Sequence, residues 1–371
     1  MTSQPARPAR VFLHNTSIPD GPQSVAEYGS LRATSFRFAS GVTAVRLENE
    51  LGALVVLPFK GQQIWSAEFG GAGVERRVLT WRSMVAEPQA STDFLSTFGG
   101  FLQHCGVLGV GGPGPQDTHA LHGELPSAPY QRAWIEAGSD ERGDYLAVGG
   151  EFRHAVAFSH NYTMQPQVRL YAASSLFRVS VALTNHKQTP MEFFYLAHVN
   201  FRPVDGGRLV YSAQKSPQHV RVRAEVPSHL TPKPGYVEML QELKRNPSGH
   251  ETLVAGQQYD PEAVFLIDYE ADAEGWAHTM QVHPDGSADY LRHRTDELPR
   301  ATRWISRTPD QDAIAIAEVG TSEPEGATRE RAKGNARTLA PGESWSAGFD
   351  VGLLLPDEAR TVEDQVERIL A

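Results

Sequence analysis

Histidine and glutamate side chains that could exchange protons are spread over three well-separated segments of this sequence. His122 lies in a Leu-His-Gly segment, His198 stands two residues before Asn200, and Glu318 follows a run of small apolar residues late in the chain. Histidine titrates near neutral pH and a carboxylate accepts protons, so a matched pair of them can catalyse proton transfer to and from an oxygen atom. These residues indicate acid–base chemistry.

His198 and Glu318 are predicted at positions where a polar side chain requires a hydrogen-bond partner or a function. His198 and Asn200 share strand parity, so both side chains should face the same side of a sheet. The run Ala313–Ala317 resembles a buried strand that ends at Glu318, where a carboxylate without a partner is costly. The alternative is that His198 is a core histidine with satisfied hydrogen bonds and Glu318 a surface carboxylate. Taken singly, the residues leave both interpretations open.

A metal site is the second kind of chemistry to consider, because four potential zinc ligands occur close together in sequence. They are His104, Cys105, His119 and His122. Their spacing matches no standard structural zinc site. A His-x-x-His pair in a loop more often consists of two unrelated histidines. We therefore predict no bound metal.

Other catalytic motifs are absent from the sequence or lack the context they need. Gly109–Gly114 matches G-x-G-x-x-G, but Pro113 and Pro115 prevent a helix from starting there, so no helix N-terminus would face a pyrophosphate. We interpret this segment as a loop. The sequence contains no P-loop, G-x-S-x-G or H-E-x-x-H motif, which removes the sequence case for NTPase, α/β-hydrolase and zincin chemistry.

Composition limits the partners of the chain. Its 371 residues include 34 Lys+Arg and 44 Asp+Glu, a formal charge of -10, without a basic block that could follow a phosphate backbone. No apolar run is long enough to span a bilayer. Cys105 is the single cysteine, and residues 1–10 contain no apolar signal segment. We expect a cytoplasmic protein that binds neither nucleic acid nor membrane and exists as a monomer or homodimer.

The elements that must position these side chains are mainly β-strands. Residues 177–184 alternate between apolar and polar types, which is the period of a half-buried strand. Short apolar runs separated by Gly, Pro and Asn/Asp recur along the chain, as in an all-β sandwich or barrel. Further predicted strands are Val45–Leu47, Leu54–Leu57, Gln167–Tyr171, Val220–Ala224, Ala263–Ile267, Ala313–Ala317 and Ser344–Leu354.

Few helices and one large domain are expected. Residues 237–244 could form a short helix, and an apolar stripe from Val362 to Leu370 predicts a C-terminal helix that Thr361 and Asp364 cap. The Asp-Gly of residues 283–286 predicts a tight hairpin turn. No internal repeat or long linker divides the chain. We assign residues 1–40 to an N-terminal arm and first strand, and residues 41–371 to a single β-sandwich domain.

The order and spacing of these pieces resemble the aldose epimerase (galactose mutarotase) superfamily over about residues 41–354. Residues 101–106, 298–304 and 318–326 look more like a poorly characterised bacterial branch of it. The segments that carry the resemblance are Leu121-His122-Gly123, His198-Val199-Asn200-Phe201, Glu318 and Leu339-Ala340-Pro341-Gly342-Glu343.

The resemblance implies a galactose-mutarotase-like β-sandwich, or supersandwich, that interconverts the anomers of a monosaccharide without a cofactor. It implies that Glu318 is the general base, His198 the general acid and His122 a third active-site group that holds the sugar. Trp304 would offer an apolar platform to the sugar. His104, Glu124 and Asn200 are candidate partners of sugar hydroxyls. The alternatives are a non-catalytic carbohydrate-binding protein of this fold, or a lyase or hydrolase on the same sandwich.

The sequence departs from the mutarotase pattern at three points. The early arginine that helps hold the sugar has no clear counterpart, and Gln103 and His104 occupy its neighbourhood. Glu124 follows the His-Gly pair where relatives commonly carry Gly or Arg. Asp268 lies near the place of the family's sugar-binding aspartate, but its local sequence matches poorly. These departures concern residues that would contact the sugar. They therefore affect which sugar is expected to bind and leave the predicted fold unchanged.

Overall fold

The computed structural model describes residues 8–223, 225 and 232–371, which form 22 strands and three α-helices. The helices are α1 (Tyr236–Arg245), α2 (Ala327–Ala332) and α3 (Pro356–Leu370). The strands are β1 (Ala9–Leu13), β2 (Gln23–Tyr28), β3 (Leu31–Arg37), β4 (Thr43–Glu48), β5 (Gly52–Val56), β6 (Ile64–Gly71), β7 (Val74–Val78), β8 (Leu102–Val107), β9 (Arg132–Asp140), β10 (Gly143–Val156), β11 (His160–Tyr171), β12 (Leu176–Asn185), β13 (Met191–Val199), β14 (Arg208–Tyr211), β15 (Val220–Val222), β16 (Tyr259–Ile267), β17 (Trp276–Val282), β18 (Ala288–Arg294), β19 (Arg300–Arg307), β20 (Asp312–Gly320), β21 (Arg337–Leu339) and β22 (Ser344–Leu354).

Two large antiparallel sheets pack face to face. The smaller sheet has the strand order β1-β9-β10-β11-β12-β22-β18-β17-β14. The larger has the order β15-β16-β19-β20-β13-β8-β6-β5-β4-β3-β2, with β21 beside β13 and β7 beside β6. Apolar side chains from both inner faces form one extensive core, which includes Phe177 of the smaller sheet and Phe101 and Phe201 on the larger side. The all-β sandwich expected from the sequence is confirmed.

Strand β12 illustrates why the alternating pattern was informative. Its residues alternate strictly between buried and half-buried, and Phe177, Val179 and Leu183 point into the core. Each of the other predicted runs falls on a strand. Two ends differ: β5 stops at Val56, one residue early, and β15 stops at Val222, while Ala224 lies outside the described residues.

The turn and helix predictions need two corrections. The hairpin between β17 and β18 is present, but only Gly286 has a positive φ, of 85°. Helix α3 begins at Pro356, five residues before the predicted cap, and its capping box joins Leu355 to Glu358. Thr361 lies inside the helix, where its hydroxyl donates to the carbonyl of Asp357. No helix in the described part of the chain is long and apolar enough to cross a membrane.

The N-terminal segment is more closely integrated than an arm with one strand. Described residues before position 41 supply β1 at the edge of the smaller sheet, and β2 and β3 at the edge of the larger sheet. Leu31 and Ala33 are almost fully buried in the common core. Their burial ties this segment to the sandwich, because removing apolar side chains from water is the main favourable term in folding. Residues 1–7, the first part of the predicted arm, lie outside the described residues.

Candidate active site

A large cavity lies against the face of the larger sheet that points away from the common core. It has a volume of about 980 Å³. Adjacent strands β13, β20, β19 and β16 form its floor. The long connection between β7 and β8, residues 79–101, covers one side, and loops after β8 and β20 complete the walls. A connection of this length without strands is uncommon in compact domains and is often functional.

His198 and Glu318 face each other on this floor. Strands β13 and β20 pair Leu196 with Gly320 and Ala197 with Val319, so continuing the register by one residue brings His198 opposite Glu318. His198 Nε2 lies 3.2 Å from Glu318 Oε1. The two residues expose only 4% and 2% of their surfaces. The structure therefore places the imidazole and the carboxyl group in contact, in a site largely shielded from water.

A β-bulge in β20 directs Glu318 to the cavity. Strand β19 pairs Thr302 with Glu318 but Trp304 with Ala315, so β20 contains one residue more than its partner. Ile316 and Ala317 consequently both face the common core, whereas Ala315 and Glu318 both face the cavity side. Bulges change the direction of side chains in this way and occur often next to active sites.

Asn200 fixes the orientation of the His198 ring. Its Oδ1 lies 2.7 Å from His198 Nδ1, and its Nδ2 donates to the carbonyl of Gly100 at 3.2 Å. Because the amide nitrogen is engaged by a carbonyl, the amide oxygen accepts, and Nδ1 of His198 carries a hydrogen. Nε2 is then the ring nitrogen that faces Glu318. Asn200 thus contacts His198 rather than lining the cavity, which corrects its assignment as a sugar-hydroxyl partner.

The environment of the pair disfavours charge on either member. Burial lowers the pKa of His198 to about 4, although the hydrogen bond to Asn200 opposes this shift. Burial also raises the pKa of Glu318 well above its ordinary value; the negative charge of Glu262 adds to the effect and the positive charge of Arg223 reduces it. Both shifts favour the uncharged state of the pair, in which the carboxyl group carries the single titratable proton.

Glu262 and Arg223 are site residues that the sequence reasoning missed. One oxygen of Glu262 accepts a hydrogen bond from Trp304 Nε1 at 2.7 Å, and the other forms an ion pair with Arg223. All three side chains line the cavity. Glu262 lies two residues before Val264 and four before Leu266 on β16, so all three side chains share the cavity face. This spacing of two residues was the available sequence signal. The predicted strand began one residue after it, at Ala263, whereas β16 begins at Tyr259.

Aromatic rings form a continuous wall around the pair. The ring centroid of Trp304 lies 5.4 Å from that of His198, and Phe98 lies 5.0 Å from His198. Trp81 touches both Phe98 and Trp304, at 4.9 and 5.8 Å. Phe94 continues the wall to the next histidine along the cavity. Trp304 therefore belongs to the aromatic wall beside His198, and its role as a sugar platform stays a prediction.

His122 enters the same cavity from the loop after β8. Its ring centroid is 5.4 Å from that of His198 and 4.7 Å from that of Phe94. Gly123 explains the Leu-His-Gly motif: its φ is 81°, and a β-carbon there would approach the carbonyl oxygen of Gly106 to 2.3 Å. The loop can pack this closely on β8 only with glycine, and this contact sets the position of His122.

His104 and Glu124 do not line the cavity, so their assignment as sugar-binding residues is corrected. The register of β8 and β13 places His104 opposite Ala197, on the core side, where its Nδ1 lies 2.8 Å from the hydroxyl of Tyr195. Glu124 accepts hydrogen bonds from the backbone of Val107 and from Tyr162, and burial raises its pKa. Both residues stabilise the sheet behind the site.

The one compact group of potential metal ligands among the described residues lies away from the acid–base pair, at an edge of the cavity that Glu325 also lines. Glu323, Glu325 and Glu330 approach one another closely, but the ammonium group of Lys333 forms ion pairs with all three. Lys333 already supplies the positive charge that this cluster needs. Asp268, whose match to the family aspartate was poor, forms an ion pair with Arg221 outside the large cavity.

Solved structures share this fold at low sequence identity. A Klebsiella pneumoniae protein provisionally assigned as an aldose 1-epimerase is 18% identical, with a TM-score of 0.79 over 98% of this chain and 96% of that chain. A galactose mutarotase-like protein from Clostridium acetobutylicum is 14% identical, with a TM-score of 0.58 over 87% and 98%. A galactose mutarotase-like protein from Lactobacillus casei is 14% identical, with a TM-score of 0.52 over 84% and 99%. These similarities show the fold.

Sequence comparison identifies the family. No curated protein matches the chain. Residues 39–353 match the family described as "Domain of unknown function (DUF4432)". The match covers most of the chain, including both β13 and β20, which carry the buried pair. This protein therefore belongs to the DUF4432 family.

Proposed function

We propose that the protein is an aldose 1-epimerase-type isomerase that interconverts the anomers of a sugar by opening and reclosing its ring. The observation that carries this proposal is the contact of 3.2 Å between His198 and Glu318 in a buried, aromatic-walled cavity. Ring opening of a hemiacetal removes a proton from the anomeric hydroxyl and adds one to the ring oxygen. A buried pair that shares one proton matches that requirement.

The proton balance of the proposed reaction follows from this pair. Glu318 accepts a hydrogen bond from the anomeric hydroxyl, which favours its carboxylate form and leaves the shared proton on His198 Nε2. Glu318 then removes the hydroxyl proton while His198 protonates the ring oxygen, and the bond between the anomeric carbon and ring oxygen breaks. The open chain rotates, and the reverse transfers close the other anomer. Both groups return to their starting protonation states, so no net proton is consumed.

Neighbouring residues support binding and orientation. Trp304 offers an apolar face for the sugar ring, and its link to Glu262 holds the indole in place. His122 lies close enough to His198 to hydrogen-bond a sugar oxygen near the reacting centre. The reaction is redox-neutral and needs no electron acceptor, so we propose that a small-molecule sugar is the only ligand it requires.

Saturation-transfer NMR of anomer exchange tests the proposal. The purified protein should accelerate exchange of at least one member of a panel of pentoses, hexoses and deoxy sugars. Glu318→Gln should abolish that acceleration. Glu192→Gln is the matched control, because Glu192 is an exposed glutamate on β13 that pairs with Arg331. Sugar binding by calorimetry without any exchange would replace the enzyme proposal with a carbohydrate-binding protein.

A further inference from the structure

The cavity continues well beyond the acid–base pair. Its volume of about 980 Å³ lies at the upper end of the range of about 300–1,000 Å³ for small-molecule sites. His198 and Glu318 occupy its buried floor, whereas Met84 and Leu95 line its outer part and are exposed by 69% and 48%. A single sugar ring held at the floor would leave this outer part of the cavity unfilled.

The outer part is apolar on the side of the connection between β7 and β8. Met84 and Leu95 both belong to that connection, which also supplies Phe94 and Phe98 to the inner wall. Large apolar side chains exposed beside a binding cavity gain free energy when a ligand covers them. This connection therefore lines the cavity with apolar side chains both beside His198, where Phe98 packs, and in the outer part, where we name Met84 and Leu95 the apolar rim.

The cationic side chains that line the cavity are already paired. Arg223 pairs with Glu262, and Lys233 with Asp260. Arg329 pairs with Glu225 at 2.5 Å. These are the Lys and Arg side chains among the described residues that line the cavity. Asp310 adds a further acidic group. Each of these cations has an acidic neighbour, so a phosphate or carboxylate on the ligand would add negative charge beside existing carboxylates, whereas an uncharged group would not.

We propose that the substrate is an uncharged reducing disaccharide whose reducing ring lies at His198 and Glu318. The second ring then covers the apolar rim. This inference rests on the proposed function, because it assumes that the reacting anomeric carbon lies at the buried pair. The apolar face of the second pyranose ring packs on the side chains of the rim, while its hydroxyls hydrogen-bond the paired charges that line the same cavity.

The test compares sugars that share a reducing ring. For any monosaccharide that the protein turns over, kcat/KM is measured by NMR exchange for that sugar, for disaccharides with it at the reducing end, and for its 6-phosphate. If glucose reacts, the disaccharides are lactose, maltose and cellobiose. We expect at least one disaccharide to exceed its monosaccharide by about tenfold or more, which is the size of discrimination that a small apolar contact provides. The 6-phosphate should be the poorest substrate.

Substitutions locate the effect on the rim. Leu95→Asp and Met84→Asp should each lower the ratio of disaccharide to monosaccharide kcat/KM by about tenfold. Val254→Asp is the matched control, since Val254 is 56% exposed and lies outside the cavity, and it should leave the ratio unchanged.

Three results would overturn the inference: equal values for both sugar sizes, a preference for the phosphate, or a ratio that both rim substitutions leave intact. If no sugar exchanges at all, the proposed function fails. Calorimetric affinities of the same sugars for the wild type and the rim variants then decide the size and charge preference independently of turnover.

Discussion

Asn200 accepts a hydrogen bond from Nδ1 of His198 at 2.7 Å, and this contact determines which ring nitrogen faces Glu318. Groups that orient a functional histidine through its second nitrogen typically change activity by about 10- to 100-fold when they are removed. The two residues stand only two positions apart, so the strand itself brings them together. The first prediction concerns this contact.

Replacing Asn200 should change both the rate and the pH dependence of anomer exchange. Asn200→Ala should lower kcat by about 10- to 100-fold, because the ring can then rotate and change tautomer. Asn200→Asp keeps an acceptor and adds a negative charge, which should raise the pKa of His198 and move the acidic limb of the kcat/KM profile to higher pH. An unchanged profile for Asn200→Asp would show that this contact does not set the protonation of His198.

The variants His198→Asn and His122→Asn should differ in whether they lose turnover alone or sugar affinity as well. His198→Asn removes the proposed acid and should lower kcat by about 100- to 10,000-fold while sugar affinity remains largely intact. His122→Asn should weaken affinity as well as turnover, because the proposed role of His122 is to hold the sugar. Exchange rates by NMR and affinities by calorimetry on the same samples separate the two cases. Equal loss of affinity in both variants would contradict the division of roles.

The acidic limb of the kcat/KM profile should lie near pH 4, far below the pH at which an ordinary histidine titrates. Burial raises the pKa of Glu318 well above its ordinary value and lowers that of His198 to about 4, so His198 gains a proton only when the pH approaches 4. Below about pH 4 a second proton should remove the base, and kcat/KM should fall about tenfold per pH unit. The measurement subtracts acid-catalysed exchange in buffer and checks folding by circular dichroism. A half-maximal rate near pH 6.5 would contradict the buried-pair interpretation.

Arg303 should be essential for the bulge in β20. Its Nε donates to the carbonyl of Ile316 at 3.1 Å, and its fully buried guanidinium also contacts Nε2 of His250 at 2.7 Å. Arg303→Met should leave that carbonyl without a partner and lower the free energy of unfolding by about 3 kcal/mol. Exchange should also slow, because the bulge orients Glu318. Arg132→Met at an exposed site should change stability by less than about 0.5 kcal/mol.

His104 should affect stability at low pH instead of catalysis. Burial lowers its pKa to about 3 from an ordinary 6.5, so the unfolded chain binds a proton there that the folded chain does not. The free energy of unfolding should fall by about 1.4 kcal/mol per pH unit as pH drops through this window.

His104→Gln should remove that part of the slope between pH 6 and 4 in urea titrations, without lowering sugar affinity. His14→Gln serves as the control, because His14 is exposed. A slope that His104→Gln leaves unchanged would contradict the assignment.

Where apolar and polar residues alternate clearly, the sequence predicted which side chains share one face of a strand. It did not predict the register between neighbouring strands. Parity within one strand was enough to place His198 and Asn200 on the same side. His104 was misplaced because the pairing of β8 with β13 puts Gln103, not His104, opposite His198. Such cross-strand register depends on the packing of the whole sheet and cannot be read from one segment.

Glu262 and the apolar rim were missed for a different reason. Glu262 follows an Asp-Pro pair that usually indicates a turn, although β16 continues through it. Met84 and Leu95 lie in a connection without periodicity, so only tertiary structure assigns them to the cavity. The alternation of apolar and polar residues identified side-chain directions within strands. It gave no information about loops, such as the connection between β7 and β8, that fold over the sheet.

The bulge in β20 means that strand length, as much as residue type, determines whether this fold can carry its acid–base pair. Ile314 and Ile316 face the core, so a regular strand through the same residues would turn Glu318 inward with them. A relative that lacks one residue just before the glutamate would need no bulge, because its glutamate would still lie opposite the equivalent of Thr302 and face the cavity. A relative of the same length that lost the bulge would keep the histidine and glutamate in its sequence but lose their contact. Family members should therefore be compared by the number of residues in this strand as well as by their conserved side chains.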